Sequence, residues 1–402
     1  MNWEKLHIII LYCFVFLLHF EYWSVFGKDE DNMTITKFVG YLYFILALRD
    51  VERFFLFSRI KTFLIPVLAF FGMLTIISYA NYNSLYQQFA NVIDFSALQC
   101  ILMFWIVCNQ LNGQPKVIYR TLVAFVAGAV VMGILYKMGV GVTITDGRLS
   151  MFGDDENAVG IRMALAIVVV LSLIFENPLN WKTPRFLLLL ALPFLFPVLA
   201  LSGSRTALIC MAIGLLIFIL LIRLKPLYKA GFLVIAAAGV ILMVNYFSHY
   251  DTLQQRLVNS ISYGDTAGRT SIWKHILPIF YESPIVGVGT TGYAKRAIPV
   301  FGVFKGGHYR SPHNVYLEML CYTGVVGLGL FLLFLGRVSF KSVQLYLRNN
   351  YIVTGILILI TMIDMFVGQG LYNKIFWYFY AVIVALQLNE ETELSNEPIV
   401  ST

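Results

Sequence analysis

The sequence predicts an all-α polytopic membrane protein with about twelve transmembrane helices and one long extracytoplasmic loop. Three observations predict this fold class. Of the 402 residues, 59% are hydrophobic and only 13% are charged. Apolar runs long enough to cross a bilayer as a helix recur from one end of the chain to the other. Basic residues are concentrated in alternate connecting segments, as expected for loops on the two sides of a membrane.

Breaks at Gly, Pro, Asn and charge clusters divide the apolar sequence into the individual spans. The first span resembles a signal peptide, but it is too long, holds His19 and Glu21, and lacks a small-x-small cleavage site. We therefore interpret it as a helix of the mature protein. The predicted spans are 6–26, 35–49, 62–80, 92–110, 117–138, 157–176, 186–201, 205–223, 229–247, 313–336, 351–368 and 374–389.

These spans form a single predicted transmembrane domain over residues 1–389. The long connection, about 248–312, is polar and Gly-rich and contains an amphipathic segment near 269–281 that is expected to lie along the membrane surface. Residues 390–402 are predicted to form a disordered acidic tail.

The distribution of Lys and Arg predicts the orientation. One set of short segments carries 15 basic residues and the alternate set carries 6, and cytoplasmic loops hold such an excess. Both termini are therefore expected in the cytoplasm and the long loop outside it. The net charge of +7 comes from scattered single residues, so we expect membrane lipids rather than nucleic acid as partners. The five cysteines lie in apolar spans without metal-like spacing and are interpreted as packing residues.

The segment LSGSRTALI, residues 201–209, places an arginine between two apolar stretches. Arg205 lies on the side that the positive-inside rule disfavours and at a helix start, where the helix dipole disfavours a cation. One interpretation is an interfacial arginine that extends to lipid headgroups. The other is an anion site, in which the backbone around Ser204 and the guanidinium bind a phosphate together.

Three further polar clusters fall on the same side of the membrane. Residues 146–163 contain Arg148, Asp154 and Asn157 at a helix start, where acidic and amide side chains are also ordinary caps. Arg162 lies one turn inside the span, where a charge is costly, and is expected to pair with one of the carboxylates.

The second cluster, residues 265–293, contains Arg269 at the start of the amphipathic segment and a literal GxGxxG, which we interpret as a Gly-rich turn because no strand precedes it. The third, residues 306–324, contains His313. His313 is either a helix cap or packed residue, or the general base for a sugar hydroxyl, kept neutral by the helix start.

Together these segments resemble the O-antigen ligase and polymerase superfamily of bacterial membrane glycosyltransferases. The matching pieces are Gly153 with Asn157 in FGDDENAVG, SGSRTAL, GRTSIW followed by SPIVGVG, and SPHNVYLEMLCYTGVVG, in that order between residues 146 and 340. One departure is the DDEN stretch, where many relatives have a proline before the asparagine. The roles of Asp155 and Glu156 therefore stay open.

The resemblance implies a GT-C-like enzyme that takes a glycan from an undecaprenyl diphosphate carrier at the outer face of the inner membrane, without metal or other cofactor. Carried over, Arg205 and Arg269, with Ser204, would bind the diphosphate, and His313 would activate the acceptor hydroxyl. The supporting positions would be Arg148, Arg162, Asp154, Asn157 and Asn314.

The acceptor distinguishes two activities within this resemblance. A ligase would use lipid A core, and a polymerase would use a second carrier-linked glycan; the histidine segment slightly favours a ligase. An alternative from another class is a transporter of an anionic solute, since many spans with buried arginines also suit anion passage. Polar residues grouped at one face and the lack of a visible repeat favour the transferase.

Overall fold

A computed structural model of the chain describes residues 3–24, 33–82, 95–176, 185–231, 233–234, 268–303, 309–368 and 370–396. Helix dominates these residues, as predicted. The helices discussed below are α1 (Trp3–Leu17), α2 (Ile35–Ala47), α3 (Val51–Phe54), α4 (Phe57–Ala80), α5 (Phe95–Leu111), α6 (Pro115–Lys137), α7 (Glu156–Phe175), α8 (Leu192–Leu201), α9 (Arg205–Leu221), α10 (Arg269–Glu282), α11 (Gly289–Phe301), α12 (Val315–Asn349), α13 (Ile352–Val367) and α14 (Lys374–Asn396).

Within the described residues, five helices are long and apolar enough to cross a membrane. They are α1 with its 3₁₀ extension to Phe20, α4, α6, α7 and α12. Shorter apolar helices, among them α5, α9 and α13, occupy positions of further predicted spans. The predicted span 229–247 lies largely outside the described residues. The chain is therefore an α-helical membrane protein, and the number of about twelve spans stays a prediction.

Helix α7 lies at the centre of the bundle. Of its apolar window, 83% is buried inside the protein, against 39–56% for the other four long spans. It packs against α8, α9 and α13, while α12 packs against α4 and α13. The side chains Ile375 to Ala385 of α14 are also buried, and this helix packs on α5. Both α7 and α14 thus contact protein rather than lipid over most of their surface.

The contacts define two ends of the bundle. At one end, called here the site end, α7, α9 and α12 begin, α13 finishes and α10 lies against the start of α12. At the opposite end, α4 and α6 begin, and Glu4, in the first turn of α1, accepts a hydrogen bond from Gln114, just before α6. Short polar caps start several helices, because they satisfy N–H groups that have no partner within the helix. These caps are Thr34, Asp155, Ser204 and Asn314.

Only Gly287 and Val288 of the GxGxxG motif belong to the predicted turn, because α11 begins at Gly289; this turn packs into a break in α12. Gly324, inside α12, has φ +61°, and Gly287 in the turn has φ +74°, both conformations that favour glycine. The turn residue Val288 donates its N–H to the carbonyl of Cys321, at 2.9 Å. A side chain at Gly324 would overlap the backbone of Ile285. The second half of the long loop is thereby attached to the bundle at the site end.

Two features of the structure differ from the sequence predictions of an all-α chain and a disordered C-terminal tail. A hairpin of β1 (Val142–Thr145) and β2 (Arg148–Met151) joins α6 to α7. Its Asp146-Gly147 turn has φ of 50° and 70°, the combination that closes a tight two-residue hairpin. At the C-terminus, α14 continues to Asn396, past the predicted boundary at 389, because no Gly or Pro interrupts it before Pro398.

Candidate functional site

The SGSR turn between α8 and α9 packs tightly against α7. Gly203 has φ +61°, which lets the chain reverse between the two helices. A side chain at Gly160 of α7 would lie 2.6 Å from the Ser202 hydroxyl oxygen, so glycine there permits the close approach. The turn places Arg205 at the first residue of α9, as predicted, with its side chain half-buried at the site end.

Ser204 is the N-cap of α9 and is 1% exposed. Its hydroxyl accepts the N–H of Ala207 at 3.3 Å, and its own N–H donates to the Ser202 hydroxyl at 3.3 Å. These contacts fix the start of α9. The sequence predicts that Ser204 and the backbone around it bind an anion. A hydroxyl that accepts a hydrogen bond can still donate its own O–H, so anion binding by Ser204 stays a prediction.

Arg148 connects the hairpin to this turn and to the start of α7. Its Nε donates to the carbonyl of Ser202 at 3.1 Å, one Nη donates to Asn157 Oδ1 at 2.8 Å, and the other lies 3.0 Å from Glu156 Oε2. The supporting positions Arg148 and Asn157 therefore contact each other directly. Glu156, whose role the sequence left open, neutralises part of the Arg148 charge.

Arg269 and Arg205 lie close enough for their charges to interact. Arg269 is the first residue of α10 and is half-buried. Burial, and next the positive charge of Arg205, lower the pKa of the Arg269 guanidinium, while Asp364 and Asp155 oppose this. The two arginines stand at starts of different helices, so the dipoles of α9 and α10 add to the positive potential between them. Residues distant in sequence thus form one electropositive site.

His313 occupies a turn that is fastened to α10. The Trp273 indole N–H donates to the carbonyl of Pro312 at 2.9 Å. His313 itself has φ +51°, a conformation that costs energy for a residue with a side chain and is common at functional sites. Its interpretation as a helix cap is wrong: Asn314 is the cap of α12, and its Oδ1 accepts the Leu317 N–H at 3.0 Å.

The surroundings of His313 favour the neutral imidazole. Burial lowers the pKa of His313 below its ordinary value, and the positive charges of Arg310 and Arg269 lower it further. Asp155 opposes them. Arg269 thus interacts electrostatically with both His313, the predicted base, and Arg205, the other predicted diphosphate ligand.

Two carboxylates at this site were not assigned from the sequence. Asp155 is exposed, caps α7 through its Oδ1, and interacts electrostatically with both Arg269 and His313. Asp364 lies near the end of α13, is 8% exposed, and interacts with Arg269. A carboxylate inside an apolar span is a signal of function, and it could have identified Asp364.

Arg162 and Asp154 form a separate, deeper cluster. Arg162 is 3% exposed and forms an ion pair with Asp154, and its Nη1 also donates to the His19 carbonyl at 3.2 Å. The other Nη lies 3.9 Å from Glu21 Oε2, and Glu21 in turn pairs with Lys374. This chain of charges connects α1, α7 and the start of α14. Arg162 and Asp154 therefore support the helices that position the site.

The site thus combines two arginine side chains, an imidazole whose pKa is lowered, and carboxylates that balance part of the positive charge. Among the described residues, no group of three or more His, Cys, Asp or Glu side chains has the arrangement of a metal site. The described residues thus define a helical membrane protein with a cluster of arginines, a histidine and carboxylates at one end of its bundle.

A family model described as O-Antigen ligase matches residues 186–332. The match confirms the resemblance to the O-antigen ligase superfamily, which indicates a ligase or polymerase role in polysaccharide assembly and glycosyltransferase-type activity. The matched range includes Arg205, Arg269 and His313, whereas the Arg148 hairpin and the start of α7 precede it. No curated protein matches the chain.

Proposed function

We propose that the protein is an integral membrane glycosyltransferase that transfers a glycan from an undecaprenyl diphosphate carrier to an acceptor sugar in cell-surface polysaccharide assembly, with no metal or other cofactor. One observation carries the proposal: Arg269, at the start of α10, interacts electrostatically both with Arg205, at the start of α9, and with His313. The charges lie at one end of the bundle, which favours a transferase over an anion transporter with a site near the membrane midplane.

In this proposal, the donor diphosphate binds between the two arginines. Bringing two guanidinium groups together in a partly buried site costs free energy, and a bound dianion offsets that cost. When the bond from the anomeric carbon to the diphosphate breaks, negative charge grows on the departing phosphate oxygen. Cations that are already in place stabilise this charge without reorganisation, so they accelerate departure.

The remaining polar residues of the turn position these cations. Ser204 caps α9 and so fixes where Arg205 leaves the helix. Arg148 holds the Ser202 carbonyl and the start of α7 together through its three contacts. We assign Arg148, Asn157 and Ser204 to the support of the diphosphate site, with Arg205 and Arg269 as its direct ligands.

His313 serves as the general base in this proposal. The acceptor hydroxyl gives its proton to the neutral imidazole, its oxygen forms the new bond to the anomeric carbon, and the carrier diphosphate leaves with the former bonding electrons. Attack from the face opposite the leaving group inverts the anomeric centre. The carboxylate of Asp155, which interacts with His313, then stabilises the imidazolium that forms.

The site end faces outward from the inner membrane in this proposal, with both termini in the cytoplasm. The acceptor is lipid A core for a ligase, which we favour slightly, or a second carrier-linked glycan for a polymerase. A deletion strain distinguishes them: full-length glycan left on its carrier indicates a ligase, and single units attached to lipid A indicate a polymerase.

Three substitutions test the assignment: Arg205→Gln, Arg269→Gln and His313→Gln. Each is expected to lower glycan transfer by about 100-fold or more, because a preorganised electrostatic or acid–base contact is lost. The measurement is surface glycan on a gel, with immunoblotting to show that the protein is present in the membrane.

Arg296→Gln and His275→Gln are matched controls. Arg296 forms an ion pair with Glu282, and His275 is exposed on α10, so these controls replace the same residue types at positions with no assigned role in the reaction. Both controls should keep activity. Normal glycan in all three test variants, with the protein in the membrane, means that the cluster does not bind donor or acceptor.

A further inference from the structure

The opposite end of the bundle contains a groove that the transferase reaction does not use. It lies between α4, α12 and α14 and has a volume of about 650 Å³. That volume is within the range of ligand sites in proteins, roughly 300–1,000 Å³. The lining residues are Arg59, Thr62, Phe63, Leu332, Leu333, Gly336, Arg337, Phe340, Lys341, Val384, Gln387 and Leu388.

All the charged residues that line the groove are cations. It contains Arg59, Arg337 and Lys341 and no Asp or Glu. Arg337 donates from Nη1 to the carbonyl of Thr62, which connects α12 to α4 across the groove. Three cations brought together by two helices repel each other, so the groove has an electrostatic preference for an anion.

Part of the remaining wall is apolar and open to the outside of the bundle. Leu332 and Leu333 are 43% and 46% exposed, and Phe340 is 61% exposed. Gly336 adds no side chain, and a methyl group placed there would meet nothing within 4 Å, so space is left between these apolar residues and the cations. A ligand that fills the groove therefore needs an anionic head and a hydrocarbon part next to it.

We infer that this groove binds one anionic phospholipid, with its phosphate against Arg59, Arg337 and Lys341 and an acyl chain along Leu332, Leu333 and Phe340. Basic pockets between transmembrane helices bind lipid headgroups in this way. The groove lies at the end on which the sequence collects its excess of basic residues, where anionic headgroups are attracted in any case. The bound lipid fastens α4 to α12 and so stabilises the helix that carries Asn314 and Gly324.

The test measures lipid binding to the purified full-length protein in neutral detergent by native mass spectrometry. Phosphatidylglycerol is compared with phosphatidylcholine and with inorganic phosphate. We expect phosphatidylglycerol to bind the unsubstituted protein at least tenfold more tightly than phosphatidylcholine. Arg59→Gln, Arg337→Gln and Lys341→Gln should each weaken phosphatidylglycerol binding by roughly fivefold.

Two controls separate the groove from general surface charge. A triple variant, Lys116→Gln, Arg223→Gln and Lys225→Gln, removes three exposed cations at the same end outside the groove and should keep the preference. Gly336→Leu fills the groove without changing any charge and should weaken phosphatidylglycerol binding.

Equal binding of phosphatidylglycerol and phosphatidylcholine, or an equal loss in the Lys116, Arg223 and Lys225 variant, overturns the inference. The inference is also overturned if inorganic phosphate competes for the groove as well as phosphatidylglycerol does, since the groove is then a site for a free anion. If a groove cation variant fails to fold, Gly336→Leu decides, because it retains every cation and only phosphatidylglycerol binding is measured.

Discussion

At the scale of single residues, His313 shows how the surrounding structure prepares a side chain for proton transfer. Its backbone is held at φ +51°, and the preceding carbonyl is bonded to Trp273. Arg310 and Arg269 keep positive charge nearby, so protonation of the imidazole is disfavoured. A base with a lowered pKa remains neutral, and so ready to accept a proton, at pH values where an ordinary histidine is partly charged.

The pH dependence of transfer follows from this environment. Since the pKa of His313 is lowered from 6.5, the acid limb of kcat/KM should lie below pH 6.5. After burial, the charge of Arg310 is the largest cause of the lowered pKa of His313. Arg310→Gln removes that charge, so the pKa of His313 rises and the acid limb moves to higher pH. The measurement is a pH–rate profile with purified donor and acceptor, and Arg296→Gln, on α11, should leave the limb unchanged. An acid limb that does not move in Arg310→Gln removes His313 as the titrating base.

A site residue could be predicted from the sequence where the feature that marks it lies in the same short segment of the chain. Arg205 stood out because an arginine interrupts an apolar run, and its position at a helix start follows from the Ser204 cap beside it. The use of Asn314 rather than His313 as the cap depends on the backbone conformation of the turn, which the sequence does not reveal. The approach of Asp364 to Arg269 needs the packing of α13 near α10, and a single sequence contains no measure of that distance.

At the scale of helices, the charge chain from Lys374 through Glu21 and Arg162 to Asp154 connects the first and last helices to the residue before Asp155. Asp155 caps α7 and interacts with Arg269 and His313. This series of ion pairs therefore holds the start of α7, which forms one edge of the site, in position. The sequence indicated that Arg162 would pair with a nearby carboxylate; the contribution of Glu21 and Lys374 comes from helices that are distant in sequence.

A double-mutant cycle on this pair measures the connection. Asp154→Asn and Arg162→Gln should each lower the free energy of unfolding by about 3–5 kcal/mol, because each breaks the ion pair between two buried side chains by removing one partner. The double variant should lose less than the sum of the two. The measurement is unfolding of the purified protein in detergent.

The exposed pair of Arg53 and Glu4 at the opposite end is the matched control. Its two side chains are 35% and 44% exposed, so solvent screens the pair, and Arg53→Gln should cost at most about 1 kcal/mol. Strict additivity of the Asp154 and Arg162 effects contradicts an energetic role for their ion pair.

The spans themselves were predictable because lipid demands long apolar helices, a requirement that is visible along a single segment. The hairpin before α7 was missed, although Asp146-Gly147 has the sequence of a tight turn, because the flanking strands are only four residues each. The break in α12 at Gly324 results from the insertion of the 283–288 turn, so it is a consequence of tertiary contact and not of local propensity.

At the scale of the whole molecule, we propose different functions for the two ends of the bundle. The site end gathers arginines with compensating carboxylates, where we propose a glycan leaves its carrier, and the opposite end holds a cationic groove that we assign to lipid. Because the helices cross between these ends, the proposed orientation requires that they face different compartments. Accessibility of single cysteines tests both ends in one experiment.

The starting protein for that experiment carries Cys13→Ser, since Cys13 is the exposed one of the five cysteines and the others are buried. Thr145→Cys adds an exposed thiol to the hairpin at the site end, and Lys225→Cys adds one beyond α9 at the opposite end. An impermeant thiol reagent applied to intact spheroplasts should label Thr145→Cys at once, and Lys225→Cys only after the membrane is disrupted. The positive-inside distribution predicts this order, because the end with 15 basic residues stays in the cytoplasm. The reverse order would put Arg205, Arg269 and His313 on the cytoplasmic face, out of reach of an acceptor outside the membrane, and the proposed reaction would fail with it.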